Sequence, residues 1–281
     1  MNNPTYTAKA AGNKAMNNLP ETDKWVENFA RFGYAAKGAI YILIGVLAAM
    51  AAFGGGGQTT GTKGIFQVIL QQPFGKVLLG LVALGFLGYA VWRFIQAIKD
   101  AENKGTDTKG MLIRTGYIAS GLIYAFFSYS AIKMIVGSGS GGSGKKTVIA
   151  KMLQMPAGEW LVGILALAAV AKGVYQIYKG YSDKFGQEVR DGHVKREIKS
   201  TYMKLGKIGY IARGVVFCIV GYFLFQAALS SNASQAGGTG EAFSFLSATG
   251  GPWLMGIIAI GLAGYGAFQV VKAKYKPFNT H

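Results

Sequence analysis

Polar and cationic side chains recur at matching places near one end of every second apolar segment of this chain. Spacings of four and three residues place each group of three on one face of a helix. The groups are Tyr89, Arg93 and Gln96; Lys172, Gln176 and Lys179; and Tyr265, Gln269 and Lys272. Lys37, Ser120 and Arg213 stand at equivalent places in the preceding segments. A cation inside an otherwise apolar segment predicts a functional site, here one for an anion.

Six of these side chains form the predicted site for an anionic lipid headgroup or an anionic solute. They are Lys37, Arg93, Lys172, Lys179, Arg213 and Lys272. Lys172 is the deepest, about 10 Å from the predicted end of its helix at about 1.5 Å per residue. Two arrangements stay open: the cations reach outward to headgroups at the interface, or they line a basic pocket on the central axis. A Lys172 that points outward to lipid would exclude the solute.

The side chains that catalysis or metal binding needs are missing from the apolar segments. No Asp or Glu lies within them, so a chain of acids for proton transfer is not expected. His193 and His281 lie in a linker and at the terminus, and Cys218 is the one cysteine. No grouping of Cys, His, Ser and Asp matches a metal centre or a hydrolytic site. The sequence therefore predicts no enzyme, no catalytic residue, no metal and no cofactor.

A unit of two apolar segments occurs three times in the chain. Residues 33–99 align without gaps on residues 116–182 and 209–275. Each unit holds two continuous apolar runs of about 20 residues, the length of a membrane-spanning helix. The runs are roughly residues 33–53, 77–97, 112–136, 160–179, 205–229 and 253–271. The repeat predicts an all-α membrane protein with six transmembrane helices, arranged as three tandem helical hairpins with pseudo-threefold symmetry.

Small and aromatic residues share one face of the segments, a pattern that predicts close helix packing. In the odd-numbered segments the stripe is Tyr34, Gly38, Tyr41 and Gly45; Tyr117, Gly121 and Tyr124; and Tyr210, Gly214, Phe217 and Gly221. In the even-numbered segments it is Gly85, Gly88 and Trp92; Ala168, Ala171 and Tyr175; and Gly261, Gly264 and Phe268. Small residues let the backbones of transmembrane helices approach closely. We interpret both stripes as packing surfaces, with each large aromatic side chain filling the groove beside the small residues.

The charge distribution predicts an orientation in the membrane. The chain has 29 Lys and Arg residues and a net charge of +17, and most of these cations flank the termini and the linkers between units. Lys and Arg accumulate on the cytoplasmic side, so both termini are expected in the cytoplasm and the hairpin loops outside. The predicted partners are therefore membrane lipids with anionic headgroups at the cytoplasmic face, and not nucleic acid.

The organisation along the chain follows from the repeat. We predict a polar tail (1–20), three two-helix units (21–104, 105–186 and 204–281) and a cytoplasmic linker (187–203). Within each hairpin, a glycine-rich loop leads to a short apolar helix at the outer surface. These short helices are predicted at residues 65–70, 148–153 and 242–246.

The second and third units open with Gly-Tyr-Ile-Ala-Ser/Arg-Gly, at residues 116–121 and 209–214. This motif and the triplication resemble the bacterial membrane family catalogued as domain of unknown function 1206. The resemblance implies the fold and the bacterial cytoplasmic (inner) membrane, and it lends no activity or site residue. Two function classes stay open. One is a non-catalytic scaffold or accessory subunit that binds anionic lipid and a larger membrane complex; the other is a transporter or channel for a small anion along the axis.

Overall fold

The computed structural model describes residues 21–137, 144–188 and 196–276. Over these ranges the regular elements are α-helices and two short 3-10 turns, at Lys184–Glu188 and Ala233–Gln235. The described residues form no β-strand. The helices are α1 (Glu21–Ala52), α2 (Thr62–Leu70), α3 (Gly75–Ile98), α4 (Thr108–Ile135), α5 (Gly144–Leu153), α6 (Gly158–Tyr181), α7 (Arg196–Leu229) and α8 (Thr239–Tyr275). The predicted tail 1–20, residues 189–195 of the predicted linker, His193 and His281 lie outside the described ranges.

Six helices are long and apolar enough to cross a membrane: α1, α3, α4, α6, α7 and α8. Exposed tryptophans lie near the start of three spans, at Trp25 of α1, Trp160 of α6 and Trp253 of α8, the last of these just after a break at Gly251. This placement is typical of the membrane–water interface. The prediction of an all-α, six-span, multi-pass membrane protein is confirmed. We call the end of the bundle where α1, α4 and α7 begin the linker face, and the opposite end the loop face.

The turn between the short helix and the span has the same form in the first two units. Phe74 and Ala157 adopt left-handed backbone conformations just before α3 and α6, after Pro73 and Pro156. These turns separate the short helices α2 and α5 from the spans that follow. The third unit has Thr249 at the place equivalent to these prolines.

The short helix predicted at residues 242–246 is present and forms the first part of α8. A non-helical residue, Gly251 (φ 73°, ψ 176°), next to Pro252, separates it from the span that follows. Glycine tolerates that φ, and proline suits the first turn of the helix that resumes there. Residues 196–203, the last part of the predicted linker, are helical and form the start of α7.

The six spans form a ring in which neighbouring units pack most extensively. In ring order, α3 packs against α4, α6 against α7 and α8 against α1. Inside the first and third units, α1 packs against α3 and α7 against α8. Inside the second unit, the described residues of α4 and α6 form no comparable interface. The ring is thus open on one side, and we call this gap the α4–α6 opening.

Glycine contacts explain the closed side of the ring. A Cβ atom on Gly85 would lie 2.4 Å from the Cβ of Ala36, and one on Gly261 would lie 2.6 Å from the Cβ of Ala212. The second unit carries alanine at the equivalent place, Ala168. Its methyl group would meet Ala119 at the spacing found in the other units. Two methyl groups cannot share that space, so the α4–α6 interface does not form at the same distance.

The exposure of equivalent residues agrees with this reading. The side chain of Tyr175 on α6 is 59% exposed, whereas Trp92 and Phe268 are 1% and 0% exposed. Ala119 and Ala168 are exposed as well, while their counterparts in the other units are buried. Tyr175 therefore does not fill a groove in the second unit, in contrast to its two equivalents. The architecture keeps its threefold repeat, but its packing departs from strict threefold symmetry.

Candidate functional site

Five cationic side chains converge inside the ring near the linker face. We call them the basic centre; they are Lys37, Arg93, Lys172, Arg213 and Lys272. They come from five different spans and share partners: Lys37 and Arg93 donate to the hydroxyl of Tyr89, Lys37 and Arg213 lie over the ring of Tyr265, and Lys172 and Arg213 lie over the ring of Phe217. Lys37, Arg213 and Lys272 are buried, with Lys37 only 3% exposed. Like charges gathered in a medium of low polarity repel strongly, so this arrangement calls for a compensating anion.

Lys37 lies at the middle of the basic centre, surrounded by aromatic rings. Its Nζ donates a hydrogen bond of 3.0 Å to the hydroxyl of Tyr89. The same ammonium group lies 4.6 Å from the ring centroid of Tyr89, 5.3 Å from that of Tyr124 and 5.6 Å from that of Tyr265. These rings belong to α3, α4 and α8, so Lys37 and its neighbours fill the axis at this depth. Each ring face favours a cation electrostatically.

Arg213 joins three spans in the basic centre. Its Nε donates to the hydroxyl of Tyr41 on α1 at 3.0 Å, and one terminal nitrogen donates to Oε1 of Gln176 on α6 at 2.7 Å. Its guanidinium carbon lies 4.7 Å from the ring centroid of Tyr265 and 4.9 Å from that of Phe217. These contacts fix the plane of the guanidinium group, which is a rigid fork of donors suited to phosphate or carboxylate.

Arg93 and Lys272 lie towards the linker face. Arg93 donates from Nε to the hydroxyl of Tyr89 at 2.9 Å and from a terminal nitrogen to Oε1 of Gln96 at 3.0 Å. The ammonium group of Lys272 lies 5.1 Å from the ring centroid of Tyr34. The two hydrogen-bond partners of Arg93 are neutral, and the carboxylate of Glu102, which accepts a hydrogen bond from Gln96, acts on Arg93 from the linker face.

Lys172 is the member of the basic centre that lies at the α4–α6 opening. It is exposed, whereas its equivalents Tyr89 and Tyr265 are buried. Its ammonium group lies 5.3 Å from the ring centroid of Phe217 and interacts electrostatically with Arg213 and Arg93. Lys172 therefore points towards the cations inside the ring and is also reachable from the opening. It lies nine residues before the end of α6, about 14 Å from that end.

Lys179, the sixth predicted cation, lies closer to the linker face. Its ammonium group is 5.0 Å from the ring centroid of Tyr210, which packs against Tyr265 at a centroid distance of 5.4 Å. Lys179 thus borders the same aromatic cluster and is partly exposed. It could contact an anion at the rim of the site.

The stripe predicted as a packing surface has two parts in the structure. Its glycines pack against the neighbouring unit: a Cβ on Gly38 would lie 2.7 Å from the carbonyl oxygen of Gly266, and one on Gly214 would lie 2.7 Å from that of Gly173. Gly45, Gly121 and Gly221 are equally close to α8, α3 and α6. The glycines therefore set the distances between units.

The tyrosines of that stripe surround the cations, a role that we did not assign to them from the sequence. Tyr34 and Tyr124 pack edge-to-face against Tyr89, at centroid distances of 5.0 and 4.5 Å, and Tyr41 packs against Tyr265 at 5.0 Å. The sequence spacing could have indicated that these tyrosines lie beside the cation. Tyr34 stands three residues before Lys37, and Tyr41 stands four residues after it. Residues at those spacings share a helix face.

Gln176 supplies a hydrogen-bond donor that has no partner. It lies one turn from Lys172 on the same helix, is 3% exposed and accepts a hydrogen bond from Arg213 through Oε1. Its Nε2 is buried and has no hydrogen-bond partner. Buried polar groups are normally hydrogen-bonded, so an unsatisfied amide beside two cations indicates a place for an acceptor.

A carboxylate lies at the edge of the site, in the linker between the first two units. Glu102 accepts hydrogen bonds from Lys276 at 2.6 Å, from the hydroxyl of Tyr117 at 2.7 Å and from Gln96 at 2.5 Å. Burial of the Glu102 carboxyl raises its pKa, but the charge of Lys276 and the hydrogen bonds outweigh this effect and hold the pKa at about 2. This contact ties α8 to α3 and α4 at the linker face.

Acid should weaken this contact. Because the pKa of Glu102 is depressed, its stabilisation is present above its ordinary value of 4.5 and is lost as the pH falls towards about 2. We expect Glu102→Gln to lower the free energy of unfolding by about 1–3 kcal/mol at pH 7. Thermal unfolding in detergent at pH 7, 4 and 2.5 would show the gap to the wild type narrowing. A gap of constant size would contradict this role for Glu102.

The described residues hold no group of three or more His, Cys, Asp or Glu side chains that could bind a metal ion. Cys218 is partly buried within α7, beside Gly173 of α6. The site is therefore defined by cations, hydroxyls and amides, which bind anions and do not ligate metals.

The repeat matches a known family model three times. The match covers residues 32–100, 115–183 and 208–276 and carries the description "Domain of Unknown Function (DUF1206)". The chain belongs to this family. Each matched segment holds one pair of spans, so the family unit coincides with the two-helix repeat.

One curated relative matches nearly the whole chain. It is "Uncharacterized protein YxxB" of Bacillus subtilis (strain 168), 32% identical over 257 residues, which cover 91% of this chain and 93% of the relative. No solved structure matches the fold. The family and the relative thus support a multi-pass membrane protein, and neither description names an activity.

Proposed function

We propose that this membrane protein is non-catalytic and binds an anionic group of the phosphate type in the basic centre. The observation that carries the proposal is the convergence of five cations from five spans that contain no Asp or Glu near them, with Glu102 of the first linker acting on Arg93 alone of the five among the interactions described. Lys37, Arg93 and Arg213 donate hydrogen bonds to tyrosine hydroxyls and to glutamine side chains, which carry no formal charge.

The cost of burying these charges favours a ligand over a purely structural role. A buried charge without a counter-charge is costly, and a packing role would be filled at lower cost by apolar side chains. Charge-assisted hydrogen bonds to a phosphate oxygen would offset the repulsion among Lys37, Lys172 and Arg213. The free Nε2 of Gln176 adds a neutral donor for the same oxygen atoms.

The filled axis favours binding over passage along the axis. Lys37, Tyr89 and Tyr265 occupy the centre of the ring, with the ammonium group 4.6 and 5.6 Å from the two ring centroids. A transported anion would have to displace these side chains. By the distribution of Lys and Arg, we place the linker face in the bacterial cytoplasm, so the site serves the inner leaflet of the cytoplasmic membrane.

The test measures stabilisation by inorganic phosphate. We expect the unfolding temperature of the protein in detergent to rise with phosphate beyond its rise in chloride of equal ionic strength, because a ligand of the folded state stabilises it. Lys172→Gln should weaken the apparent affinity by about tenfold, equivalent to about 1.4 kcal/mol. Lys76→Gln is the matched control, since Lys76 is an exposed lysine at the loop face.

Two outcomes would contradict the proposal. An equal response to phosphate and chloride would show that the basic centre does not select phosphate-type anions. Phosphate uptake by liposomes that contain the protein, above that of empty liposomes, would show passage in place of simple binding.

A further inference from the structure

The α4–α6 opening lies beside the basic centre, because Lys172 of α6 is exposed along it. Its walls are apolar: Ala119 and Ile123 on α4 and Ala168 and Ala171 on α6 are exposed. Ile123 is 48% exposed, whereas its equivalents Ile40 and Val216 are 1% and 4% exposed. A wall that is buried in two units is therefore uncovered in the second.

A charged contact lies at the inner end of this opening. Lys172 is exposed there, with Arg213 and the unpartnered Nε2 of Gln176 beside it. Exposed apolar residues next to cations match one class of molecule, an amphiphile with an anionic head and an apolar tail. A free phosphate would satisfy the cations and leave the apolar walls uncovered.

Hydrogen bonds at the linker face also favour access to the basic centre through the α4–α6 opening over access from the water-facing end. Glu102, Lys276 and Tyr117 form a hydrogen-bonded contact across α8, the first linker and α4. Arg114 of α4 also donates to the carbonyl oxygens of Ala97 and Ile98 at the end of α3, at 2.7 and 3.1 Å. These contacts tie α3, α4 and α8 together at the water-facing end, whereas the described residues of α4 and α6 form no comparable interface.

We propose that the ligand of the basic centre is an anionic phospholipid that enters sideways through the α4–α6 opening. Its phosphate lies on Lys172, Arg213 and the amide of Gln176, and its acyl chains lie between α4 and α6. This inference rests on the proposed function and adds the class of ligand and its route. The exposed tyrosines Tyr178 and Tyr181 at the end of α6 lie where the interface of the same leaflet is expected.

The test compares lipid retention when the opening is blocked. The wild-type protein in nanodiscs of equal phosphatidylglycerol and phosphatidylcholine is transferred to detergent, and bound lipid is counted by native mass spectrometry. We expect the wild type to retain phosphatidylglycerol in preference. Ala168→Trp should reduce retained phosphatidylglycerol about tenfold, equivalent to about 1.4 kcal/mol. Leu167→Trp is the matched control, because Leu167 is 73% exposed on the next face of α6.

The outcomes separate this inference from the proposed function. Ala168→Trp should still be stabilised by inorganic phosphate, since the basic centre is intact. Retention of phosphatidylglycerol by Ala168→Trp at the wild-type level would overturn lateral entry, even where phosphate binding holds. A wild type that responds to phosphate and retains no phosphatidylglycerol would identify a free anion as the ligand. A helix of a second copy or another protein found in the opening would also overturn the lipid proposal.

A second variant tests the opening without added bulk. Ala168→Gly combined with Ala171→Gly restores the glycines found in the first unit, which should let α4 and α6 pack as α1 and α3 do. We expect this double variant to retain less phosphatidylglycerol than the wild type while it stays folded. Unchanged retention of phosphatidylglycerol by the double variant would contradict the proposed route. If Ala168→Trp fails to fold, the double variant is the test of lateral entry.

Discussion

Replacing Gly33 or Gly209 with alanine should destabilise the bundle by about 1–3 kcal/mol, the cost of overpacking. The same replacement at the equivalent Gly116 should stabilise it by about 0.5–1 kcal/mol, because alanine is the better helix former. A Cβ on Gly33 would lie 2.5 Å from the backbone nitrogen of Tyr89, and one on Gly209 would lie 2.6 Å from that of Tyr265. A Cβ on Gly116 meets nothing within 4 Å.

The three variants together test the α4–α6 opening, since they make one chemical change at three equivalent places. Thermal unfolding in detergent and in nanodiscs would give the order of stability. Gly163→Ala is a useful control on α6, because a Cβ there also meets nothing within 4 Å. A loss of stability in Gly116→Ala equal to that in Gly33→Ala would show that α4 and α6 pack in the membrane, and the opening would have to be abandoned.

Replacing Lys37 with methionine should have opposite effects on stability and on binding. Without phosphate, the variant should be more stable by on the order of 2 kcal/mol, since repulsion between unit charges at an effective dielectric of about 20 reaches about 4 kcal/mol at 4 Å and falls with distance. The lost hydrogen bond to Tyr89 and the lost ring contacts offset part of this gain. With phosphate, the variant should gain much less stability than the wild type.

This combination distinguishes a binding site from a packing cluster. A side chain that serves packing alone would lose stability on replacement, with or without phosphate. The matched control is Lys133→Met, which removes an exposed lysine near the loop face. Its unfolding temperature should respond to phosphate as the wild type does. A ligand-free Lys37→Met protein that is less stable than the wild type would contradict the argument from like-charge repulsion.

Much of the candidate site follows from residue type and spacing. A cation in an apolar segment has few roles, so Lys37, Lys172 and Arg213 stand out by residue type alone. The spacing of four residues also places Lys172 and Gln176 on one face. Spacing does not determine whether a side chain points into the bundle or out to the lipid. For Lys172, both directions are compatible with the sequence. In the structure the ammonium group of Lys172 lies next to the ring of Phe217 and interacts with Arg213, so it points into the bundle.

The role of the tyrosines shows the same limit. Tyr34 and Tyr41 lie on the stripe with Gly38. A stripe of small and aromatic residues predicts helix packing, whether its tyrosines contact a neighbouring helix or surround cations. In the structure the glycine faces α8 while the tyrosines turn towards the cations. Glu102 was not predicted because its partner Lys276 lies in another unit, and pairings between distant linkers leave no mark in local spacing.

The sequence by itself determined the all-α class, the six spans, the threefold repeat and the depth of the cations, because each depends on composition and period along one chain. The tertiary structure decided which helices meet and where the ring stays open. Ala168 is an ordinary small residue in the sequence. It matters only because a Cβ atom on its counterparts Gly85 and Gly261 would lie 2.4 and 2.6 Å from a facing methyl group. A single added carbon has an effect at that distance, and the distance exists only once the helices are packed.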